Sequence, residues 1–110
     1  MDTLENYREI IKKVLQENAD FYSYDEIECK PIYDEKKDTY LLITIGWDRG
    51  KRIHSCFVHL DIINNKVWVQ RDDTEDGVTP ELVEAGIPKN CIVLGFHPPD
   101  VRPHTGFATA

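Results

Sequence analysis

Residues 52–71, RIHSCFVHLDIINNKVWVQR, decide the fold: two runs of alternating apolar and polar residues flank the pair Asn64-Asn65. Asn tolerates the positive φ that a two-residue hairpin loop requires, so the pair predicts a tight antiparallel turn. Such a loop sets Ile62 opposite Val67, Leu60 opposite Val69 and Val58 opposite Arg71 on one face. Asp61 opposes Trp68 and His59 opposes Gln70 on the other. The first face reads as core. The second carries Phe57 and Trp68 among polar neighbours, and two large rings there need a cover from the chain's own tail, a second subunit or another protein.

Working upstream, the period of two continues back to Tyr24. It predicts strands at about Glu26 to Tyr33, Thr39 to Trp47, Arg52 to Ile63 and Lys66 to Arg71, an antiparallel meander. Pro31 lacks an N–H, so the first strand is expected at an edge or with a bulge. Turns fall at Asp34–Asp38 and Asp48–Lys51. If the second is a two-residue loop, Leu41, Ile43 and Ile45 join the core face beside Cys56 and Val58; a bulge at Gly50 would flip them. Further upstream, Leu4, Tyr7, Ile11 and Val14, flanked by Ile10 and Leu15, recur at helical spacing and predict an amphipathic helix from Thr3 to Asn18. Asp2 or Thr3 serves as its cap.

Downstream, the acidic run Asp72, Asp73, Glu75 and Asp76 leads to a short helix with Thr79 as expected N-cap, Pro80 at its first position and Gly86 at its end. Cys91 to Phe96 reads as a short strand. The tail, with Pro98, Pro99 and Pro103, should be irregular but pinned by Phe96, Val101 and Phe107. The expected fold is α+β: an N-terminal helix packed on a four-stranded antiparallel meander, then a short helix, a short strand and an irregular Pro-rich C-terminal tail.

The chain has 110 residues, the size of a single domain spanning 1–110. Such a domain buries roughly 65% of its unfolded surface, enough for a core without metal or disulfide staples. Thirteen basic residues against 20 acidic ones give a net charge of -7. That balance disfavours direct nucleic-acid binding, which relies on Lys and Arg displacing counterions from phosphates. No secretory signal and no membrane-length apolar run is visible, so a cytoplasmic location is expected. Cys29, Cys56 and Cys91 suit three reduced thiols.

The chemistry-bearing residues form no familiar constellation. The acids at Asp72–Asp76 lack the spacing of a calcium loop and read better as a solvated turn feeding a helix. His54, His59, His97 and His104 lack zinc spacing, and the odd separation of His54 and His59 puts them on opposite faces of a regular strand. No nucleophile elbow, P-loop or dinucleotide fingerprint occurs. Neither catalytic residues nor a cofactor are expected.

The motifs KVWVQRDDTEDGV from Lys66, ELVEAGIPKNCIVLGFHPP from Glu81 and the Arg102, Pro103, Thr105, Phe107, Ala108 pattern resemble the XisI family, the fdxN-element excision controlling factors of cyanobacteria, and the likeness covers essentially the whole chain, most specifically Trp68 to Pro99. Upstream agreement comes from Leu4 and Tyr7, Gly46-Trp47, and Arg52 leading into His59-Leu60-Asp61-Ile62. The resemblance implies an α+β accessory factor in a developmentally controlled DNA rearrangement, where a site-specific recombinase performs the strand chemistry and a XisH-like protein is commonly encoded nearby. It implies no catalytic residues.

A protein partner, XisH-like or the recombinase itself, is therefore expected. Its candidate anchors are Phe57, Trp68, Arg71, His97, Arg102 and Phe107, because aromatics and Arg dominate interface energetics. The oligomeric state stays open, and self-association is compatible with the sequence. The alternatives are a DNA-binding specificity factor and a metal-dependent hydrolase built on Asp72, Asp73, Glu75, His97 and His104.

Overall fold

The structure, a computed structural model, describes residues 2–110. Helix α1 runs from Thr3 to Tyr22, with the Asp2 carboxylate accepting from the Leu4 N–H at 3.3 Å as its cap. Its apolar stripe, Tyr7, Ile10, Ile11, Val14 and Leu15, is buried. The helix extends one turn past the expected end at Asn18. There the Asn18 amide points inward and donates to the Val14 carbonyl and to the Glu81 carboxylate, both at 2.8 Å. A residue that commonly stops helices is here satisfied inside one, so Ala19 joins the core and Ser23 closes the helix instead.

Four strands follow in chain order: β1 Ile27–Asp34, β2 Thr39–Asp48, β3 Lys51–Ile63 and β4 Lys66–Asp72. Each pairs antiparallel with the next. Both tight loops are two residues long, Arg49-Gly50 with φ 53° and 78° and Asn64-Asn65 with φ 50° and 66°. A fifth strand, β5 Ile92–Leu94, lies parallel to β4, giving a five-stranded sheet in the order β1-β2-β3-β4-β5. It is shorter than the expected 91–96 span, because Cys91 closes a 3-10 turn and the chain turns again at Gly95, whose N–H donates to Val93. A parallel neighbour requires a crossover. Helix α2, Thr79–Glu84, lies on it.

Two bulges decide which side chains face α1. Leu42 pairs with Val58 and Ile43 with Cys56, leaving Phe57 as an extra residue on β3. Leu60 pairs with Val69 and His59 with Arg71, leaving Gln70 extra on β4. The expected partners Val58–Arg71 and His59–Gln70 are thus replaced by Val58–Asp72 and His59–Arg71. The Asp48–Lys51 loop behaves as predicted and sets Ile43 opposite Cys56, but the Phe57 bulge sends Val58 to the opposite side. Consequently Tyr40, Leu42 and Thr44 are buried against α1, and Leu41, Ile43 and Ile45 are not core residues. They line the outer face of the sheet.

The core is a sandwich of α1 and α2 against the inner face, with Leu42, Val58, Leu60, Val67, Val69, Leu82 and Ile92 fully buried. Truncating any of these aliphatics to Ala costs about 2–5 kcal/mol in a comparable site. Thr79 is not the N-cap of α2. Val78 holds that position, and the N–H of Val78 donates to the Asp72 carboxylate at 2.7 Å. Gly86, at φ 123°, ends α2 as expected, letting the Ile87 N–H reach back to Leu82. The free edge of β1 is blunted: Pro31 has no N–H to offer, and the Ser23 hydroxyl accepts from the Cys29 N–H at 2.8 Å.

Candidate functional site

Trp68 alternates with buried Val67 and Val69 and so projects from the outer face, where the C-terminal tail covers it. The Ala108 N–H donates to the Ile92 carbonyl at 2.9 Å, pinning the tail beside β5. Between these anchors the Arg102 guanidinium lies over the indole, 5.1 Å from the ring centroid. Its Nε donates to the His97 carbonyl at 3.0 Å, while the Arg102 carbonyl accepts from the Thr105 hydroxyl at 2.8 Å. The Thr105 oxygen in turn accepts from the Phe107 N–H. Gly95 passes so near that an added Cβ would sit 3.0 Å from the indole.

Of the six candidate anchors, Trp68, His97 and Arg102 come together directly, and Phe107 joins them through the Thr105 link. The His97 ring leans on Phe96 at 4.5 Å, and Lys89 approaches the Phe107 ring at 5.9 Å. Arg71 lies on the same side but farther along β4, exposed and paired with Asp73 at 2.8 Å. Phe57 does not belong with Trp68. Its bulge turns it to the α1 side, where it packs edge-on against Tyr22 at 4.9 Å in the wall of a cleft also lined by Tyr24, Thr44 and Ser55.

The outer face also carries residues that the sequence misplaced. Leu41, Ile43 and Ile45 stand in one row along β2, half-buried, on the face of the sheet turned away from α1. The row continues into Trp47, 50% exposed, with Arg52 across the strand pair at 5.4 Å from its ring. Ile32 on β1, 43% exposed, pairs beside Leu41. At the junction between this row and Trp68 sits Asp61. Its carboxylate accepts from the Thr39 hydroxyl at 2.8 Å and the Gln70 amide at 3.2 Å, and contacts the His59 imidazole at 3.0 Å. The polar centre of the face is therefore fully engaged.

The groups considered for metal or catalysis take other roles. The Asp72 carboxylate accepts from the Thr74 N–H, the Thr74 hydroxyl and the Val78 N–H, so it builds the acidic turn. The Glu75 N–H donates to the Tyr22 hydroxyl. His54 and His59 fall on the same face, not opposite ones, because the Phe57 bulge adds a residue between them. They pair with Ile45 and Leu41, about 13 Å apart along the sheet. Among the described residues no three His, Cys, Asp or Glu side chains converge as metal ligands. Burial pushes the Cys29 and Cys56 thiols up, away from the reactive thiolate. No helix among the described residues is long and apolar enough to cross a membrane.

On the helix side, Arg8 ties α1 to the β1–β2 turn, with its Nε donating to Asp38 at 2.8 Å. The Tyr40 hydroxyl donates to the same carboxylate at 3.0 Å. Arg8 holds the Asp38 carboxyl below the usual carboxylate range, with burial opposing and the Tyr40 hydrogen bond assisting.

Comparison with known proteins agrees with this architecture. A XisI-like protein from Anabaena variabilis ATCC 29413 superposes with a TM-score of 0.84 at 29% identity, covering 99% of this chain and 100% of that one. The fdxN element excision controlling factor XisI from the same organism superposes with a TM-score of 0.85 at 37% identity, again over 99% and 100% of the two chains. No curated protein matches the sequence. The family model described as XisI protein matches residues 1–109, and the chain belongs to the XisI family.

Proposed function

We propose that this chain is a non-enzymatic accessory factor of DNA element excision that works by binding protein, its partner being a XisH-like protein or the site-specific recombinase. The observation that carries the reading is the outer face of the sheet. A row of aliphatic side chains runs uncovered beside a tail that holds Trp68, His97 and Arg102 in place. Isolated apolar residues on a surface are ordinary, whereas a continuous row on an interior strand of a sheet marks a contact surface. Family membership supports the excision context through the structural neighbour that is an excision controlling factor. The raised thiols and the engaged Asp72 and Asp61 carboxylates favour a binding role over catalysis.

The test is co-purification of the tagged chain with a co-expressed XisH-like protein and, separately, with the recombinase. Recovery of either complex with the wild-type chain, and its loss in a Trp68→Ala, Arg102→Ala variant that keeps its circular dichroism spectrum, is the expected result. No complex with either protein refutes the reading.

A further inference from the structure

We propose that the cavity between the end of α1, the acidic turn and the start of α2 takes the guanidinium of an arginine side chain from a protein partner; this rests on the protein-binding reading above and adds a contact on the helix side of the sheet. The cavity has a volume of about 300 Å³, the lower end of the range for small-ligand sites and enough for one side chain. Two cross-links fix its walls: the Glu75 N–H donates to the Tyr22 hydroxyl at 3.0 Å, and the Asn18 amide donates to the Glu81 carboxylate at 2.8 Å.

The lining calls for a cation rich in donors. Glu17, Asp76 and Glu81 border the cavity, no Lys or Arg does, and none of the three carboxylates forms an ion pair among the described residues. Lys13, in the adjoining groove, stands among Glu17, Glu81 and Glu84, so the balance stays negative. Arg71, on the strand that feeds the acidic turn, is held by Asp73 at 2.8 Å. Helix α1 deepens the field: its last turn carries Asp20 and no base, so its free carbonyl end adds partial negative charge, the reverse of what helix stability favours. Asn18 supplies a further, uncharged acceptor. It is only 7% exposed and its amide nitrogen donates to the Val14 carbonyl and to Glu81, while its oxygen accepts from no group among the described residues. Every sealed polar side-chain atom among those residues has a partner, so this oxygen opens on the cavity that Asn18 lines. The rings choose between cations. Phe21, 74% exposed, stands edge-to-face with Tyr22 at 5.0 Å in the wall, a surface of no use to a metal ion, and the carboxylates do not converge as metal ligands. A guanidinium is planar, stacks on aromatic faces and offers five N–H donors, whereas an ammonium offers three.

The experiment titrates the isotope-labelled full chain at low salt with the capped peptide Gly-Gly-Arg-Gly-Gly, and with counterparts in which citrulline, the neutral analogue of arginine, or Lys replaces Arg. Amide shifts centred on Asn18, Tyr22 and Gly77 are expected with the Arg peptide at about 1 mM. The citrulline peptide should bind at least about tenfold more weakly and the Lys peptide at least about threefold. A Glu17→Gln, Asp76→Asn variant, changed only at exposed side chains, should bind the Arg peptide at least about fivefold more weakly. Phe21→Ala should weaken it about threefold, and Phe21→Tyr, which keeps a ring, should not. Equal binding of the Arg and citrulline peptides, shifts confined elsewhere, or no shifts at about 10 mM peptide would overturn the proposal. So would displacement of the peptide by Mg²⁺, or free arginine binding more tightly than the capped peptide, which would make a small molecule the ligand. Peptide binding by a chain that captures neither XisH-like protein nor recombinase refutes the partner reading and leaves this site standing. Capture undiminished by the Glu17→Gln, Asp76→Asn changes and by excess Arg peptide refutes this site as the contact and leaves the partner reading standing.

Discussion

Leu42 and Ile43 are adjacent on β2 and nearly equal in size, yet the Phe57 bulge sends them to opposite sides of the sheet. Leu42 is fully buried among β1, β3 and α1. Truncation to Ala leaves a cavity there that close-packed neighbours cannot collapse, and the cost should be about 3 kcal/mol. For a chain of this length that lowers the melting temperature by roughly 12 °C or more. Ile43→Ala removes as many carbons from a half-buried position on an uncovered face. No cavity forms, part of the side chain was already in water, and the loss of a β-branched residue adds little, so the cost should be about 1 kcal/mol. Urea unfolding followed by circular dichroism measures both, and an unchanged m-value licenses the comparison. Equal destabilisation by the two substitutions, or the larger effect at Ile43, would show that the bulge does not exist in solution. The same Ile43→Ala protein should bind a partner more weakly than the Leu42→Ala protein does, the reverse of their order in stability.

Two further outcomes follow from local geometry. Asp38 has its folded-state pKa lowered, so its contribution to stability is fully present above the ordinary carboxylate range and disappears as pH falls through the lowered value. Asp38→Asn should therefore be less stable than wild type at neutral pH, and the gap should close on acidification below about pH 4; a gap that is constant with pH would exclude the Arg8–Asp38 pair as its source. Gly46, at φ 153°, faces the backbone of Glu26 and Ile27 so closely that an added Cβ would overlap the Glu26 carbonyl. Gly46→Ala should cost at least about 2 kcal/mol in a thermal melt, and an unchanged melting temperature would contradict the path of the chain entering β1.

What the sequence revealed was whatever is decided locally. The α1 stripe, the Asn64-Asn65 loop, the Gly86 stop and the blunted β1 edge are consequences of residues within a few positions of each other. The inner face of the β3–β4 hairpin was legible for the same reason, since Leu60, Ile62, Val67 and Val69 follow from the loop alone. The bulges were not. Nothing in SCFVHL announces that Phe57 will be an extra residue, because the slip is set by where β2 must place Tyr40 and Leu42 under α1, a demand from a distant part of the chain. That one unseen residue put Leu41, Ile43 and Ile45 in the wrong layer, separated Phe57 from Trp68, and exchanged the face of one of the two β3 histidines. The Thr79 cap was misread because the Val78 N–H finds Asp72 six residues upstream. The Trp68, His97 and Arg102 grouping was partly legible from aromatic and Arg density, but its geometry depends on the tail returning to β5.

The Phe57 bulge also bears on how the strand tolerates insertions and deletions. Arg52–Cys56 and Val58–Ile62 obey opposite parity: even positions point outward in the first half and inward in the second. Loss of Phe57 would leave a regular strand in which Cys56 still points outward and Val58 still points inward, so both halves keep their faces and only the bulge disappears. A chain shortened by that residue would still keep Leu60 under the helix and Cys56 away from it, while losing the contact of the Phe57 ring with Tyr22. The odd residue is thus absorbed by the bulge without disturbing either half, and what it adds is a ring directed at Tyr22 rather than the phase of β3.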